Sequence, residues 1–205
     1  LSYNLLVSAT SGGTYTDAAA TDGDADGSYT ALGAGFYKVE ITDTESCAIE
    51  SGIVEVTEPD AITIDSAAVA TAISCNGLTD GTVTVTGTGG TGTLSYNLLF
   101  STTSGGTYTD ADATDGDADG SYTGLGAGFY KVSITDAESC GPIESGIVEV
   151  TEPDAITIDS AAVAAAISCN GETDGTVTVT GTGGTGTLSY NLLVSATSGG
   201  TYTDA

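Results

Sequence analysis

The chain has 205 residues, of which 28 are Asp or Glu, while Lys38 and Lys131 are the only basic residues and His is absent, so the net charge is −26. This acidity argues against nucleic-acid and anionic membrane partners, because both bind through Lys and Arg, and the apolar runs are too short for membrane insertion. Without His, the Ser-His-Asp and Cys-His nucleophile pairs are excluded, and repeated units with few aromatics give no sign of a glycosidase cleft, so we predict no enzyme activity.

The chain repeats itself. Residues 1–6 recur as residues 94–99 and 188–193, so the copies begin 93 and 94 residues apart. A unit of this length can hold its own hydrophobic core. Near-identical tandem units increase length and valency and do not build a single active site, so the sequence predicts a string of domains.

Strand patterns follow one another along each copy. Val, Ile, Thr and Tyr alternate with a period of two in residues 37–42, 52–57, 61–65 and 82–86, and Gly-rich turn signals separate these runs. Residues 67–72 lack a helical period, and we predict an extended or irregular stretch there. Six to eight short strands in a unit of this length are typical of an antiparallel β-sandwich.

The domain boundaries are predicted at the steps Glu58-Pro59 and Glu152-Pro153, because proline ends a strand and lacks a donor for the ladder. Residues 1–59 are then the C-terminal part of a truncated repeat, residues 60–153 are a complete domain, and residues 154–205 are the N-terminal part of another truncated repeat. Since almost no linker remains, we expect the domains to meet end to end as a semi-rigid rod.

Two segments of the complete unit carry a family resemblance. Residues 73–85, with Cys-Asn-Gly and Asp-Gly, resemble the opening of the SprB repeat, and residues 125–136, followed by Cys140 and the Glu-Pro step, resemble its close. The resemblance implies tandem Ig-like antiparallel β-sandwich domains of very large surface adhesins of gliding Bacteroidota, exported by type IX secretion. Residues 101–119 depart from the pattern as a longer connection.

The function expected from this resemblance is structural. The repeats would form the stalk or filament region of a large secreted cell-surface adhesin, which projects or multiplies attachment and serves gliding motility, with neighbouring repeats and identical filaments as partners. The alternative is that each repeat is itself a Ca²⁺-dependent module that binds polysaccharide or a cell surface. The copies differ at Phe100 for Val7 and at Asp112 for Ala19, a tolerance that favours the stalk.

The four cysteines allow three pairings. If the units end at the Glu-Pro steps, Cys75 and Cys140 share a domain and form its disulfide, while the partners of Cys47 and Cys169 lie outside the fragment. The rival pairing joins Cys47 to Cys75 and Cys140 to Cys169 across the junctions. Free thiols are the third possibility.

Each copy also contains an Asp-rich loop with the D-x-D-x-D-G spacing of calcium loops. The possible Ca²⁺ ligands are Asp22, Asp24, Asp26, Asp115, Asp117 and Asp119. The position of the twelfth ligand of an EF-hand is Gly33 or Gly126, and no helices flank the loop. The competing interpretation is a solvated acidic surface loop.

Two smaller features remain. Ser66 and Ser160 follow Asp and precede Ala, which resembles the O-glycosylation sequon of Bacteroidota, although each is equally interpreted as an ordinary strand-end serine. Tyr37 and Tyr130 stand where sandwich domains carry a tyrosine corner, in which the hydroxyl bonds back to nearby backbone.

Overall fold

The computed structural model describes residues 1–20 and 23–205, and within these ranges it contains antiparallel strands and no helix. No helix of these residues is therefore long and apolar enough to cross a membrane. The strands are β1 (Ser2–Ser8), β2 (Thr16–Asp17), β3 (Gly35–Thr42), β4 (Ala48–Glu50), β5 (Val54–Val56), β6 (Thr63–Thr71), β7 (Gly81–Thr88), β8 (Ser95–Ser101), β9 (Thr109–Asp110), β10 (Ser121–Leu125), β11 (Gly128–Thr135), β12 (Ile143–Glu144), β13 (Val148–Val150), β14 (Thr157–Ala165), β15 (Thr176–Thr182), β16 (Leu193–Val194) and β17 (Thr203–Asp204).

The chain divides into two compact units, Leu1–Asp60 and Ala61–Ala205. The first unit holds β1 to β5. The second unit holds β6 to β17, of which β6 to β13 form a two-sheet sandwich.

The sandwich has the strand order of an Ig-like domain. One sheet has the order β10-β7-β6, and the other has the order β12-β11-β8-β9, with β13 also paired to β11. The first, second and fifth strands thus share one sheet, while the third, fourth and sixth to eighth share the other, and every pairing is antiparallel. This division of strands is the Ig-like Greek key, so the predicted all-β sandwich is confirmed.

The core of the sandwich comes from the predicted period of two. In β7 and β11 every second side chain is buried, and these side chains meet between the sheets. The buried core residues are Ile62, Ile73, Val83, Val85, Leu98, Tyr122, Leu125, Tyr130, Val132, Ile134, Val148 and Val150.

Residues 67–72 lie mostly within β6, which confirms the prediction of extended structure. β6 is an edge strand, because it pairs only with β7 in its sheet. Its alanines alternate between solvent and core: Ala68 and Ala70 are exposed, while Ala67 and Val69 pack against the core.

The first unit is a single sheet with the order β2-β1-β3-β4, in which β5 also pairs with β3. Its register repeats that of the sandwich: Leu5 lies opposite Val39 as Leu98 lies opposite Val132. The covering differs, however. Val54 is 59 % exposed, whereas its counterpart Val148 in the sandwich is 6 % exposed. One face of this sheet therefore presents apolar side chains to solvent.

The last part of the second unit consists of two hairpins. β14 pairs with β15 in the register that β6 has with β7, including the two irregularities along the ladder. β16 and β17 share two residue pairs. Val177 and Val179 are exposed here although their counterparts in the sandwich, Val83 and Val85, are buried, and Ile158 and Val163 are exposed although their counterparts are partly buried.

Candidate functional site

The end of the sandwich is fastened at the predicted Glu-Pro step. The Asn76 side-chain amide donates a hydrogen bond to the backbone carbonyl of Pro153 (3.0 Å), and the Gly77 N–H donates to Glu152 Oε2 (2.6 Å). The Asn-Gly turn between β6 and β7 thus supplies both donors, and the Glu-Pro step supplies both acceptors. The chain therefore leaves the sandwich in a fixed direction.

The residues after this step contact the same turn region. The Gly184 N–H donates to the carbonyl of Asp154 (2.7 Å), and the Thr185 hydroxyl donates to the carbonyl of Ser74 (3.0 Å). Thr185 is the counterpart of Thr91, in the loop that follows β7 in the sandwich. The loop of one repeat thus touches the opposite end of the repeat before it, without an intervening linker.

The other end of the sandwich is organised by the buried carboxylate of Asp136. One oxygen accepts from the Thr91 N–H (2.7 Å), and the other accepts from the N–H groups of Glu138 (3.0 Å) and Cys140 (2.8 Å). The backbone hydrogen bonds from Thr91 and Cys140 lower the pKa of Asp136. This residue was not singled out from the sequence, although an Asp followed by polar residues is a known signal of an Asx turn.

Replacement of Asp136 by Asn should destabilise the sandwich at neutral pH, because an amide nitrogen then faces a backbone donor. A carboxyl whose pKa is lower in the folded protein adds stability above its unfolded pKa and loses it as the pH falls through the folded pKa. The difference in melting temperature between the wild type and Asp136→Asn should therefore become smaller below about pH 4, where the carboxyl of the unfolded chain titrates. Thermal melts from pH 7 to pH 2 measure this.

The matched control is Asp43→Asn, which changes the counterpart in the first unit. Its carboxylate accepts from Glu45 and Cys47 but lies outside the sandwich. The control should leave the melting of the sandwich unchanged. If the melting temperatures of the wild type and Asp136→Asn differed by the same amount at every pH, the electrostatic explanation would be wrong.

The predicted Cys75–Cys140 disulfide is wrong for this structure. All four cysteines, Cys47, Cys75, Cys140 and Cys169, lie in the described residues and are free and exposed. Cys75 belongs to the turn at the Pro153 end, whereas Cys140 lies beside Asp136 at the opposite end. The eight residues of β7 connect these ends, a span of roughly 25 Å, and a disulfide requires Cα atoms within about 7 Å.

The rival disulfides, Cys47–Cys75 and Cys140–Cys169, are also absent among the described residues, and the structure contains four free thiols. The Asp136 carboxylate next to Cys140 raises the pKa of that thiol, with burial as the second cause. The thiolate, which is the reactive form, is thereby disfavoured.

The Asp-rich loop of the sandwich does not bring its carboxylates together. Asp115 accepts from the backbone and hydroxyl of Thr123 (2.8 and 2.6 Å), Asp117 accepts from the Tyr122 hydroxyl (3.0 Å), and Asp119 accepts from the Ser121 N–H (3.0 Å). Among the residues that the structure describes, no three acidic or sulfur ligands are grouped so that they could hold a metal ion.

The first unit repeats this arrangement where it is described. Asp24 accepts from the Tyr29 hydroxyl (3.0 Å) and Asp26 from the Ser28 N–H (2.9 Å), while Asp22 lies outside the described residues. The Asp-Tyr pair recurs at the same spacing in both units. Sequence reasoning overlooked this partner, although a tyrosine five residues after the central Asp stands in both copies.

The loop serves to bury a tyrosine. Tyr122 is fully buried, and burial together with its hydrogen bond to Asp117 raises the pKa of its hydroxyl. The Gly120 N–H donates to the Gly116 carbonyl (2.7 Å), which closes the turn beneath the ring. The acidic loop therefore has a structural role that the calcium-like spacing does not indicate.

The tyrosine corner is confirmed in both units. The Tyr130 hydroxyl donates to the Gly126 carbonyl (2.9 Å), and the Tyr37 hydroxyl donates to the Gly33 carbonyl (2.8 Å). In the sandwich this contact fixes the chain between β10 and β11, where it crosses from one sheet to the other.

The two lysines are held in one recurring contact. Lys131 lies 3.0 Å from Glu144 and 4.9 Å from the centre of the Tyr108 ring, and Lys38 lies 2.8 Å from Glu50 and 4.6 Å from the centre of the Tyr15 ring. Each lysine thus joins the central strand of its sheet to the long connection before it.

The two serines of the glycosylation sequon are exposed on β6 and β14. Their hydroxyls face a threonine hydroxyl on the neighbouring strand, Ser66 with Thr86 (2.8 Å) and Ser160 with Thr180 (2.7 Å). Glycosylation at these positions stays a prediction.

Comparison with known proteins gives one family. The model of the SprB repeat matches residues 67–103 and 161–197. No curated protein matches the chain. Among solved structures, the chain is similar to a C-terminal fragment of intimin in complex with the intimin-binding domain of the translocated intimin receptor, at 16 % identity over 64 % of this chain and 44 % of that one, with a TM-score of 0.29.

The two family matches fall on corresponding parts of consecutive repeats. Each covers the last part of the strand before the Cys-Asn-Gly turn, the turn itself, and the two strands that follow it. The matched repeat suggests a cell-surface repeat of the adhesin type. Residues 67–103 and 161–197 are thus each similar to the SprB repeat.

Proposed function

We propose that this chain is part of the structural repeat region of a large secreted cell-surface adhesin, a stalk that projects or multiplies attachment in gliding motility. The observation that carries the proposal is the junction. Two SprB matches 94 residues apart are joined by a Glu-Pro step at which the Pro153 carbonyl and the Glu152 carboxylate accept hydrogen bonds from the Asn-Gly turn. The Thr185 hydroxyl, from the following repeat, donates to the Ser74 carbonyl beside the same turn.

Such a junction suits a spacer. A flexible linker would let successive domains fold back on one another, whereas hydrogen bonds on both sides of a proline restrict the angle between them. If each repeat continues the direction of the one before, adding repeats adds reach in proportion to their number. In this proposal neighbouring repeats of the same chain are the principal partners.

The charge distribution supports the same role. A net charge of −26 opposes collapse of the chain onto itself and onto anionic cell surfaces. The carboxylates of the Asp-rich loop are committed to hydrogen bonds within the loop, as expected of a spacer domain and not of a ligand-binding one.

The test is binding of the purified chain to intact cells and to neutral and acidic polysaccharides, in Ca²⁺ and in chelator. A spacer should bind none of them in either condition, while its thermal transition shows that it is folded. Calcium-dependent binding would overturn the stalk and establish each repeat as an adhesive module.

Two variants with equal charge changes sharpen this test. One neutralises the loop with Asp115→Asn, Asp117→Asn and Asp119→Asn. The other neutralises three exposed residues elsewhere, Glu45, Glu55 and Glu149, to Gln. Under the stalk proposal neither variant changes binding or Ca²⁺ uptake measured by calorimetry. Loss of binding in the loop variant alone, with its thermal transition unchanged, would assign adhesion to the loop.

A further inference from the structure

The sandwich contains a cavity with an aromatic wall and acidic side chains around it. The cavity has a volume of about 370 Å³ and is lined by residues of β8, β9, β10 and β11 and of the connection after β9. The lining residues on which its chemistry depends are Phe100, Asp110, Asp112, Gly124 and Tyr130. A volume of this size lies near the lower end of the range for small-ligand sites, which suits a single side chain.

The sequence differences between the copies concentrate on this cavity. Residues 1–47 and 94–140 align without a gap and differ at six positions. Three of the six differences fall on the ten residues that line the cavity, although the aligned stretch is 47 residues long. The three pairs are Phe100 and Val7, Asp112 and Ala19, and Gly124 and Ala31. At this place the sandwich therefore has a ring and a carboxylate that the first unit lacks.

Phe100 supplies the aromatic surface that a ligand can reach. The centres of the Phe100 and Tyr130 rings are 5.2 Å apart and the rings are tilted by 48°. Gly128 leaves room for the Phe100 ring, because a Cβ there would collide with it. Tyr130 is buried, whereas Phe100 is only partly buried. The two tilted rings do not form the flat platform on which a sugar would stack.

Two carboxylates stand beside this ring. Asp110 and Asp112 are both exposed, and the Asp112 N–H donates to one oxygen of Asp110 (2.8 Å), which keeps the two residues together. Lys38 and Lys131 are the only basic side chains of the chain, and each already pairs with a glutamate. A cation that neutralises Asp110 and Asp112 must therefore come from another molecule.

The sandwich shows the same kind of recognition within itself. The Lys131 ammonium is held between the face of the Tyr108 ring, 4.9 Å from its centre, and the Glu144 carboxylate at 3.0 Å. The cavity offers an aromatic ring and two carboxylates to a cation of the same type. An aliphatic stem would cover the apolar lining while its charged head stays at the exposed carboxylates.

We infer that this cavity binds a basic side chain, Lys or Arg, of a partner polypeptide. The charged head lies at Asp110 and Asp112, and the aliphatic stem lies against Phe100. The inference goes beyond the proposed stalk and does not depend on it, since a spacer domain can carry such a site in one repeat and lack it in the next.

The test is a titration of the isotope-labelled 205-residue chain, followed by the amide signals in nuclear magnetic resonance spectra. The probe is a blocked tripeptide with lysine between two glycines. Saturable shifts are expected at Asp112 and Gly124, and none at Ala19 and Ala31, which are the internal control in the same sample. The tripeptide with Nε-acetyl-lysine, which has the same stem without the charge, should cause no shifts.

A double variant gives the sandwich the residues of the first unit. Phe100→Val with Asp112→Ala should weaken binding of the lysine tripeptide at least about tenfold, because a cation–π contact and an ion pair are both lost. Valine occurs at this strand position as Val7 and Val194, so the strand accommodates it. The thermal transition of the variant reports that the sandwich remains folded.

A matched pair of variants separates the site from general attraction to an acidic chain. Asp112→Asn and Glu138→Gln each remove one exposed charge, but Glu138 lies at the opposite end of the sandwich, beside Asp136. Asp112→Asn should weaken binding, and Glu138→Gln should leave the affinity unchanged within about twofold.

Three results would overturn the inference. The first is equal shifts at the cavity and at Ala19 and Ala31, or equal weakening by Asp112→Asn and Glu138→Gln. The second is equal affinity for the lysine and acetyl-lysine tripeptides. The third is saturable shifts at Asp112 and Gly124 with the neutral disaccharide cellobiose and not with the lysine tripeptide, which would assign the cavity to a sugar.

Discussion

Ile134→Ala is expected to lower the free energy of unfolding of the sandwich by about 2–5 kcal/mol. Ile134 is fully buried on β11 and packs between the sheets against Leu94 and the backbone of β7 near Gly87. Removal of its outer carbons leaves a cavity that two paired sheets cannot easily close. Urea unfolding of the chain, with β7 and β11 followed by hydrogen exchange, measures the loss.

The first unit supplies the control for this substitution. Ile41 occupies the same register position on β3, opposite Tyr3 as Ile134 is opposite Tyr96, but it is only partly buried. Ile41→Ala should therefore lower the free energy of unfolding clearly less than Ile134→Ala does. It should also leave the hydrogen exchange of β7 and β11 unchanged. Equal losses in the two variants would mean that the strand environment, and not the covering sheet, determines the cost.

Gly120→Ala is the second substitution with a large expected effect. It should lower the free energy of unfolding by about 2–4 kcal/mol. Gly120 has φ = +73°, where an L-residue costs about 1–2 kcal/mol, and an added Cβ would clash with the Val85 carbonyl oxygen. The Val85 N–H also donates to the Gly120 carbonyl (2.8 Å), so relief of the clash disturbs the pairing of the Asp-rich loop with β7.

Two further glycines separate the causes. Gly124 has a similar φ of +68° but only one atom, the Thr79 carbonyl oxygen at 3.8 Å, near the added Cβ. Gly105 has neither a positive φ nor a neighbour within 4 Å. Alanine at Gly124 should cost the conformational part alone, and alanine at Gly105 should be nearly neutral in thermal melts. A loss at Gly120 no larger than that at Gly124 would contradict the role of the clash.

Much of the sandwich follows from alternation that is readable in the sequence. The apolar positions of residues 82–86 and 37–42 have the period of two that buries Val83 and Val85 in β7 and Tyr37 on one face of β3. The tyrosine corner was equally accessible, because Tyr130 follows a Gly-rich turn directly before a strand. These features depend on local sequence, which determines the face on which a side chain lies.

The disulfide prediction was wrong because the alternation of side chains shows on which face of a sheet a residue lies, but not at which end of the sandwich it lies. Cys75 and Cys140 lie in two loops whose separation depends on how many times the chain has crossed the sheets between them. The calcium site stays a prediction, because spacing only places Asp115, Asp117 and Asp119 in one loop. The direction of each carboxylate is decided by nearby donors such as the Tyr122 hydroxyl.

The positions of the two lysines also determine how susceptible the protein is to proteases that cleave after basic residues. Enzymes that cleave after Lys or Arg have two target bonds in 205 residues, and both lie within a central strand, β3 or β11, that is hydrogen-bonded on both sides. Such enzymes need an extended, unpaired substrate segment, so cleavage after Lys131 requires the sandwich to open. A chain composed of these repeats is thus resistant to trypsin-like digestion for as long as it stays folded.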